Sequence, residues 1–158
     1  MHRTIDLDGM ELMPELREIF TNEHFISMKH IKHHGHISCL EHSLRVAEKT
    51  YEMCLKRKGV DILSAVRSAL LHDFYLYDKG EYRPKFHNMR HPKCALQNAE
   101  KYFSLNRIER DSIMRHMWPV TPIPPRFRES FIVSWADKQV AFGDFREQIP
   151  LQRLAKTG

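Results

Sequence analysis

The sequence predicts an all-α protein, a compact bundle of about six or seven helices. Three observations point there. Apolar residues recur at three- and four-residue spacing along most of the chain, strand-like alternation is almost absent, and glycine, proline and capping residues punctuate the periodic runs. The 158 residues fit a single domain. Its core is expected over about 35–141, with a helical extension over 1–34 and a polar, loosely attached tail over 145–158.

A first helix is expected from Met10 to Phe20 and a short one from Glu23 to Met28. "KHIKHHGH" then reads as a basic, histidine-rich turn closed by Gly35. From about Ser38 to Lys58, Leu40, Leu44, Ala47, Tyr51, Cys54 and Leu55 recur at helical spacing, and Gly59 ends the run. Asp61 is placed to cap the next helix, which carries Ile62, Leu63, Val66, Ala69 and Leu70. Asp78 to Met89, with Gly80 and Pro84, reads as a loop. Pro92 fits the first position of a new helix, with His91 near its cap, and that helix runs to about Phe103. Asn106 and Glu109 have capping-box spacing for a helix ending near Trp118. "PVTPIPP" forces an extended connection. The last helix starts near Phe127 and holds "FIVSWADKQVAF".

Certain polar residues interrupt these apolar faces. His42 lies within "CLEHSLRVA", and His72 with Asp73 within "ALLHDFYL". His91 opens a helix, His116 lies within "IMRHMW", and Asp137 follows "IVSWA". Each intrusion is costly unless partnered. One such histidine is ordinarily a hydrogen-bonded core residue. Four imidazoles and two carboxylates in such contexts suggest a nitrogen/oxygen site for one or two divalent metals inside a bundle.

Bulk properties narrow the function classes. Three cysteines without CxxC spacing argue against a disulfide framework or a cysteine-ligated zinc site. The N-terminal segment lacks the apolar stretch of a signal peptide, and no apolar run is long enough to span a membrane. A cytoplasmic location is therefore expected. The net charge of +5 comes from scattered cations, with small groups at Arg83/Lys85, Arg90/Lys93 and Arg126/Arg128. These fit a phosphorylated small molecule at least as well as a nucleic acid. A moderately basic solvated surface competes with both.

The ordered set His42, His72-Asp73, His91, His116 and Asp137 resembles the HD-domain superfamily of metal-dependent phosphohydrolases. The flanking "EHSLRVA", "ALLHD" and "WADK" agree, over roughly Gly35 to Ala141. The closest likeness is to small bacterial-type members with six ligands and two metals. The resemblance implies that His42, His72, Asp73 and Asp137 are the shared ligands. It implies that His91 and His116 are the extra pair and that Asp73 bridges two metals. Iron, manganese, cobalt, nickel and zinc all suit such donors. Water activated between the metals would attack phosphorus, which makes Asp73 catalytic as well as a ligand.

Many relatives carry Gly-Glu or Gly-Lys shortly after the doublet, where Tyr75 and Leu76 stand here. A general acid or positioning charge is then expected from Asp78, Lys79 or Lys138. Asp78 reads equally well as a helix C-terminal turn residue, and Lys138 as a structural ion-pair partner. The resemblance also implies substrate contacts at His34, Ser38 and His87, with Lys79 as a further candidate. His33 and His36 are expected to face solvent. Tyr75, Tyr77 and Trp118 are expected as core or pocket wall.

The leading expectation is hydrolysis of a small phosphate mono- or diester, nucleotide-like in kind. Some relatives with the same ligand order are di-iron oxygenases, which is the alternative. A non-catalytic nucleotide or nucleic-acid binding module ranks third, since it would require a broken metal set.

Overall fold

The computed structural model describes residues 13–77 and 85–155. Asp78 and Lys79 lie outside the described residues. Seven α-helices are present within them: α1 (Arg17–Phe20), α2 (Glu23–Ser27), α3 (Cys39–Leu55), α4 (Ile62–Leu71), α5 (His87–Tyr102), α6 (Arg107–Arg115) and α7 (Arg128–Ala155). A small antiparallel sheet joins β1 (Lys32–His34) to β2 (Ile37–Ser38). The all-α expectation holds, apart from this hairpin.

Helix α4 is the axis of the fold. All residues from Ser64 to Leu71 are buried, as expected for a helix apolar on every side. The Asp61 side chain starts it, accepting from the backbone N–H of Ser64 at 3.0 Å and from its hydroxyl at 2.7 Å. Helices α3, α6 and α7 pack around α4, and α5 packs mainly on α6. Arg67 sits inside this apolar helix. Its Nε donates to Glu109 at 2.6 Å and its Nη1 to the Glu15 carbonyl at 3.0 Å and to the Glu18 carboxylate. That set of partners is what makes a buried guanidinium tolerable.

Most boundaries follow the sequence signals. Ser38 caps α3 by accepting from the Glu41 N–H at 3.1 Å. Asn106 and Glu109 form the reciprocal capping box of α6. Gly59 adopts a φ of 70°, a left-handed conformation that suits glycine.

Four expectations are corrected. The first helix is not continuous to Phe20: residues 10–12 of the expected helix lie outside the described residues, Met13 is extended, and a 3-10 turn that opens on Pro14 leads into α1. The histidine-rich turn is a hairpin, folded at Gly35 with φ of 56°. Pro92 lies inside α5, not at its start. Phe86, at φ of 60°, begins that helix earlier, and the Met89 and Arg90 N–H groups both bond its carbonyl. Finally, α7 continues past Asp144 and is helical to Ala155. None of the helices among the described residues is long and apolar enough to cross a membrane.

Candidate metal centre

The C-terminal end of α4 is where the other elements meet. His72 follows its last residue, and Asp73 lies in the turn beyond. His42 comes from the first turns of α3, His91 from α5, His116 from the C-cap of α6, and Asp137 from the middle of α7. All six are buried. The structure therefore brings together every residue of the expected ligand set.

Local backbone contacts decide which ring nitrogen faces the cleft. Nδ1 of His72 bonds the Ala69 carbonyl at 2.7 Å, Nδ1 of His91 the His87 carbonyl at 3.1 Å, and Nδ1 of His116 the Ile113 carbonyl at 2.8 Å. A carbonyl can only accept, so each Nδ1 carries the proton and each Nε2 presents a lone pair. The Nε2 atoms of His91 and His116 are 2.9 Å apart. Two lone pairs at that distance repel unless a proton or a metal cation lies between them.

The carboxylates complete the arrangement. Asp73 Oδ1 is 3.1 Å from His91 Nε2 and 3.6 Å from His116 Nε2, while Oδ2 is 3.5 Å from His72 Nε2. Asp137 Oδ1 is 2.9 Å from His42 Nε2 and 3.5 Å from His72 Nε2. One donor atom each from His42, His72 and Asp137 lies within 4.8 Å of the others, and the same is true of His72, Asp73 and His116. Either group could hold a metal ion, and the two share His72 Nε2. His72 Nε2 and Asp73 Oδ1 are buried and make no hydrogen bond. Buried polar atoms left so are costly, and a cation would satisfy both. The residues present thus fit a divalent metal.

The electrostatics agree. Burial alone would protonate Asp73, but the His72 charge and contacts from His116, His33 and His91 hold its carboxyl well below the usual range. Asp137 is held low in the same way, against burial, by His42 and His72. Burial disfavours the His42 imidazolium, yet Asp137 and Asp144 outweigh it and hold the ring up at about 9. His72 is also raised: burial opposes its charge, and Asp73 with Asp137 overcome that. His116 is lowered, chiefly by burial. A proton on His42 thus offsets part of the charge of the two ionised carboxylates, charge that a metal would compensate instead.

Two residues of the site escaped the sequence reading. His33 does not face solvent. It sits on β1, its ring stacked on His42 with centroids 3.8 Å apart, and its Nε2 is 2.8 Å from Asp73 Oδ2. Asp144 lies 3.5 Å from His42 Nδ1 through Oδ2, while Oδ1 accepts from Arg45 at 2.6 Å. Neither Nδ1 of His42 nor Oδ2 of Asp144 has a hydrogen-bond partner, so the contact between them is electrostatic, with the Asp144 charge behind His42. Its signal was available, since Asp144 continues the helical phase of Asp137 by seven residues. His36 is exposed, as expected.

The remaining candidates are spread around a cleft of about 250 Å³ lined by His33, His34, Asp73, His87, Asp137 and Lys138, among others. His34 stands exposed at its rim. His87 is buried, its Nδ1 bonded to the Tyr77 hydroxyl at 2.8 Å and its ring stacked on His91. Ser38 is occupied as the α3 cap. The Lys138 ammonium donates to the His116 carbonyl at 2.9 Å and to Ser134 Oγ at 2.8 Å. Burial lowers its pKa, against the raising pull of Asp137. Tyr75 lines the cleft, whereas Trp118 lines a neighbouring hollow of about 570 Å³ together with Arg57, Arg128, Trp135 and Lys138. All three cysteines are free thiols.

A family model described as HD domain matches residues 39–140. No curated protein and no solved structure matches the chain.

Proposed function

The chain belongs to the HD-domain family, and from that premise we propose that it is a metal-dependent phosphohydrolase acting on a small phosphate mono- or diester. One observation carries the reading. Four imidazole Nε2 atoms and two ionised carboxylates lie close together, and both carboxylates, His91, His116 and a lysine line one small cleft.

In this reading His42, His72, Asp73 and Asp137 would hold one divalent ion, and His91 and His116, together with Asp73, would hold a second. Iron, manganese, cobalt, nickel or zinc would each suit these donors. When bound, such ions lower the pKa of water toward about 7 and neutralise charge on a phosphoryl group.

The chain's own residues do the rest. Backbone carbonyls of Ala69, His87 and Ile113 fix three ring orientations before any ligand arrives. For His42 the Asp144 charge, 3.5 Å from Nδ1, takes the corresponding place. Lys138 reaches the cleft from α7, anchored on the His116 carbonyl, and offers a positive charge beside Asp137 to orient an anionic substrate. His34 and His87 flank the opening and contact the substrate. Asp78 and Lys79 stay candidates for the general acid. The neighbouring hollow shares Lys138 with the cleft, and its two tryptophans and two arginines suit a planar, anionic organic moiety.

The test is phosphate release from a panel of nucleotides, sugar phosphates and phosphodiesters. It is run anaerobically with each divalent ion, on wild type and Asp73→Ala. The wild type should hydrolyse a subset, while Asp73→Ala should be inactive yet keep its helical circular dichroism. Full metal content and activity in Asp73→Ala would refute the site assignment. Product formation that requires iron and oxygen, without phosphate release, would replace the proposal with an oxygenase.

A further inference from the structure

We propose that His33 is a further metal ligand of this centre, binding through Nε2 beside Asp73 and His42. The inference rests on the reading of the cleft as a metal centre. It also goes beyond the family resemblance, because His33 precedes the matched segment, which begins at residue 39.

The hairpin aims the side chain. Along β1, Lys32 and His34 are exposed while His33 points inward, the period-two alternation of a strand. Its side chain is only 8% exposed. The ring lies nearly parallel to His42, at 11°, so stacking fixes its plane. From there Nε2 approaches Asp73 Oδ2 at 2.8 Å. The other oxygen of Asp73 faces His91 and His116, so the carboxylate has imidazole nitrogens at both ends. One donor atom each from His33, His42 and Asp73 lies within 4.8 Å of the others, a third group with the spacing of a metal site.

The separation itself is informative. For an octahedral ion, metal–nitrogen and metal–oxygen bonds of about 2.0–2.2 Å at right angles place adjacent donors roughly 2.8–3.1 Å apart. His33 to Asp73 at 2.8 Å falls in that range, as do His42 to Asp137 at 2.9 Å and His91 to Asp73 at 3.1 Å. A neutral imidazole ligates once its proton resides on Nδ1. The competing role is that of a hydrogen-bond donor that merely positions Asp73, in which case the proton stays on Nε2.

Cobalt-loaded protein separates the two roles. Each coordinated imidazole gives a strongly hyperfine-shifted ring N–H proton in the NMR spectrum, whereas a ring that only hydrogen-bonds a ligand does not. Wild type, His33→Gln, His33→Ala and the exposed hairpin control His36→Gln are compared, with circular dichroism to confirm folding and mass spectrometry to count cobalt. Both His33 variants should lose one shifted N–H resonance and bind cobalt at least tenfold more weakly, while His36→Gln matches wild type. An unchanged set of resonances in a folded, cobalt-loaded His33 variant overturns the inference but leaves the metal centre standing. A wild type that binds no cobalt overturns both.

Discussion

Removing the metal and raising the pH should destabilise this protein through His42. The folded-state pKa of His42 is about 9, against an ordinary value of 6.5. A raised pKa means that the folded state holds the proton more tightly. Its contribution is therefore complete below pH 6.5 and is lost as pH rises through 9. The difference of roughly 2.5 units, at about 1.4 kcal/mol per unit, amounts to some 3 kcal/mol. For a chain of this size that corresponds to about 6–12 °C in Tm. His72 is raised as well and adds in the same direction. Lys138 acts oppositely, because its pKa is lowered and deprotonation relieves a cost. The assay is thermal unfolding by circular dichroism in EDTA from pH 6 to 10, on wild type and His42→Gln. Wild type should lose stability between pH 7 and 10, and His42→Gln should have a distinctly flatter profile. Saturating metal should also flatten the wild-type curve, since the cation replaces the proton. Equal slopes in both proteins, or a metal-free wild type with constant Tm, would refute this account of the charge balance.

Two further predictions follow from groups behind the site. Asp144→Asn removes the charge that faces His42 Nδ1 and pairs with Arg45, and should weaken metal binding about 10–100-fold, read by chelator competition. Unchanged affinity would mean that Asp144 serves only Arg45. Arg67→Ala leaves the buried Glu109 carboxylate unpaired and should cost about 3–5 kcal/mol in urea unfolding. A loss under about 1 kcal/mol would show that this network is not strongly coupled to folding.

The sequence disclosed the site because its ligands break a period. His42, His72, Asp73, His116 and Asp137 each interrupt an apolar helical face, and a costly residue in such a place needs a partner. Arg67 interrupts "AVRSALL" in the same way, and only the structure shows its partners, Glu109 and Glu18. His33 was not legible, because "KHIKHHGH" has no period against which an inward residue stands out. Only the hairpin phase, set by Gly35, turns His33 inward and leaves His34 and His36 outside. Asp144 carried a signal, its seven-residue spacing from Asp137, that its surroundings obscured. Polar residues crowd the chain after it, so the end of the apolar run looked like the end of the helix. Pro92 misled because its missing N–H suits a helix start. Here the start is set instead by the left-handed Phe86, and the proline is carried in the second turn.

The central claim is that the cleft at the end of α4 is a metal centre, and metal analysis tests it most directly. Purified protein is stripped with chelator, reloaded with manganese, cobalt, iron or zinc, desalted and measured by inductively coupled plasma mass spectrometry beside Asp73→Ala. The account predicts at least one tightly held equivalent of one of these ions in wild type, and loss of that metal in the folded variant. A wild type that retains none of them, or an Asp73→Ala protein that retains as much as wild type, would contradict it.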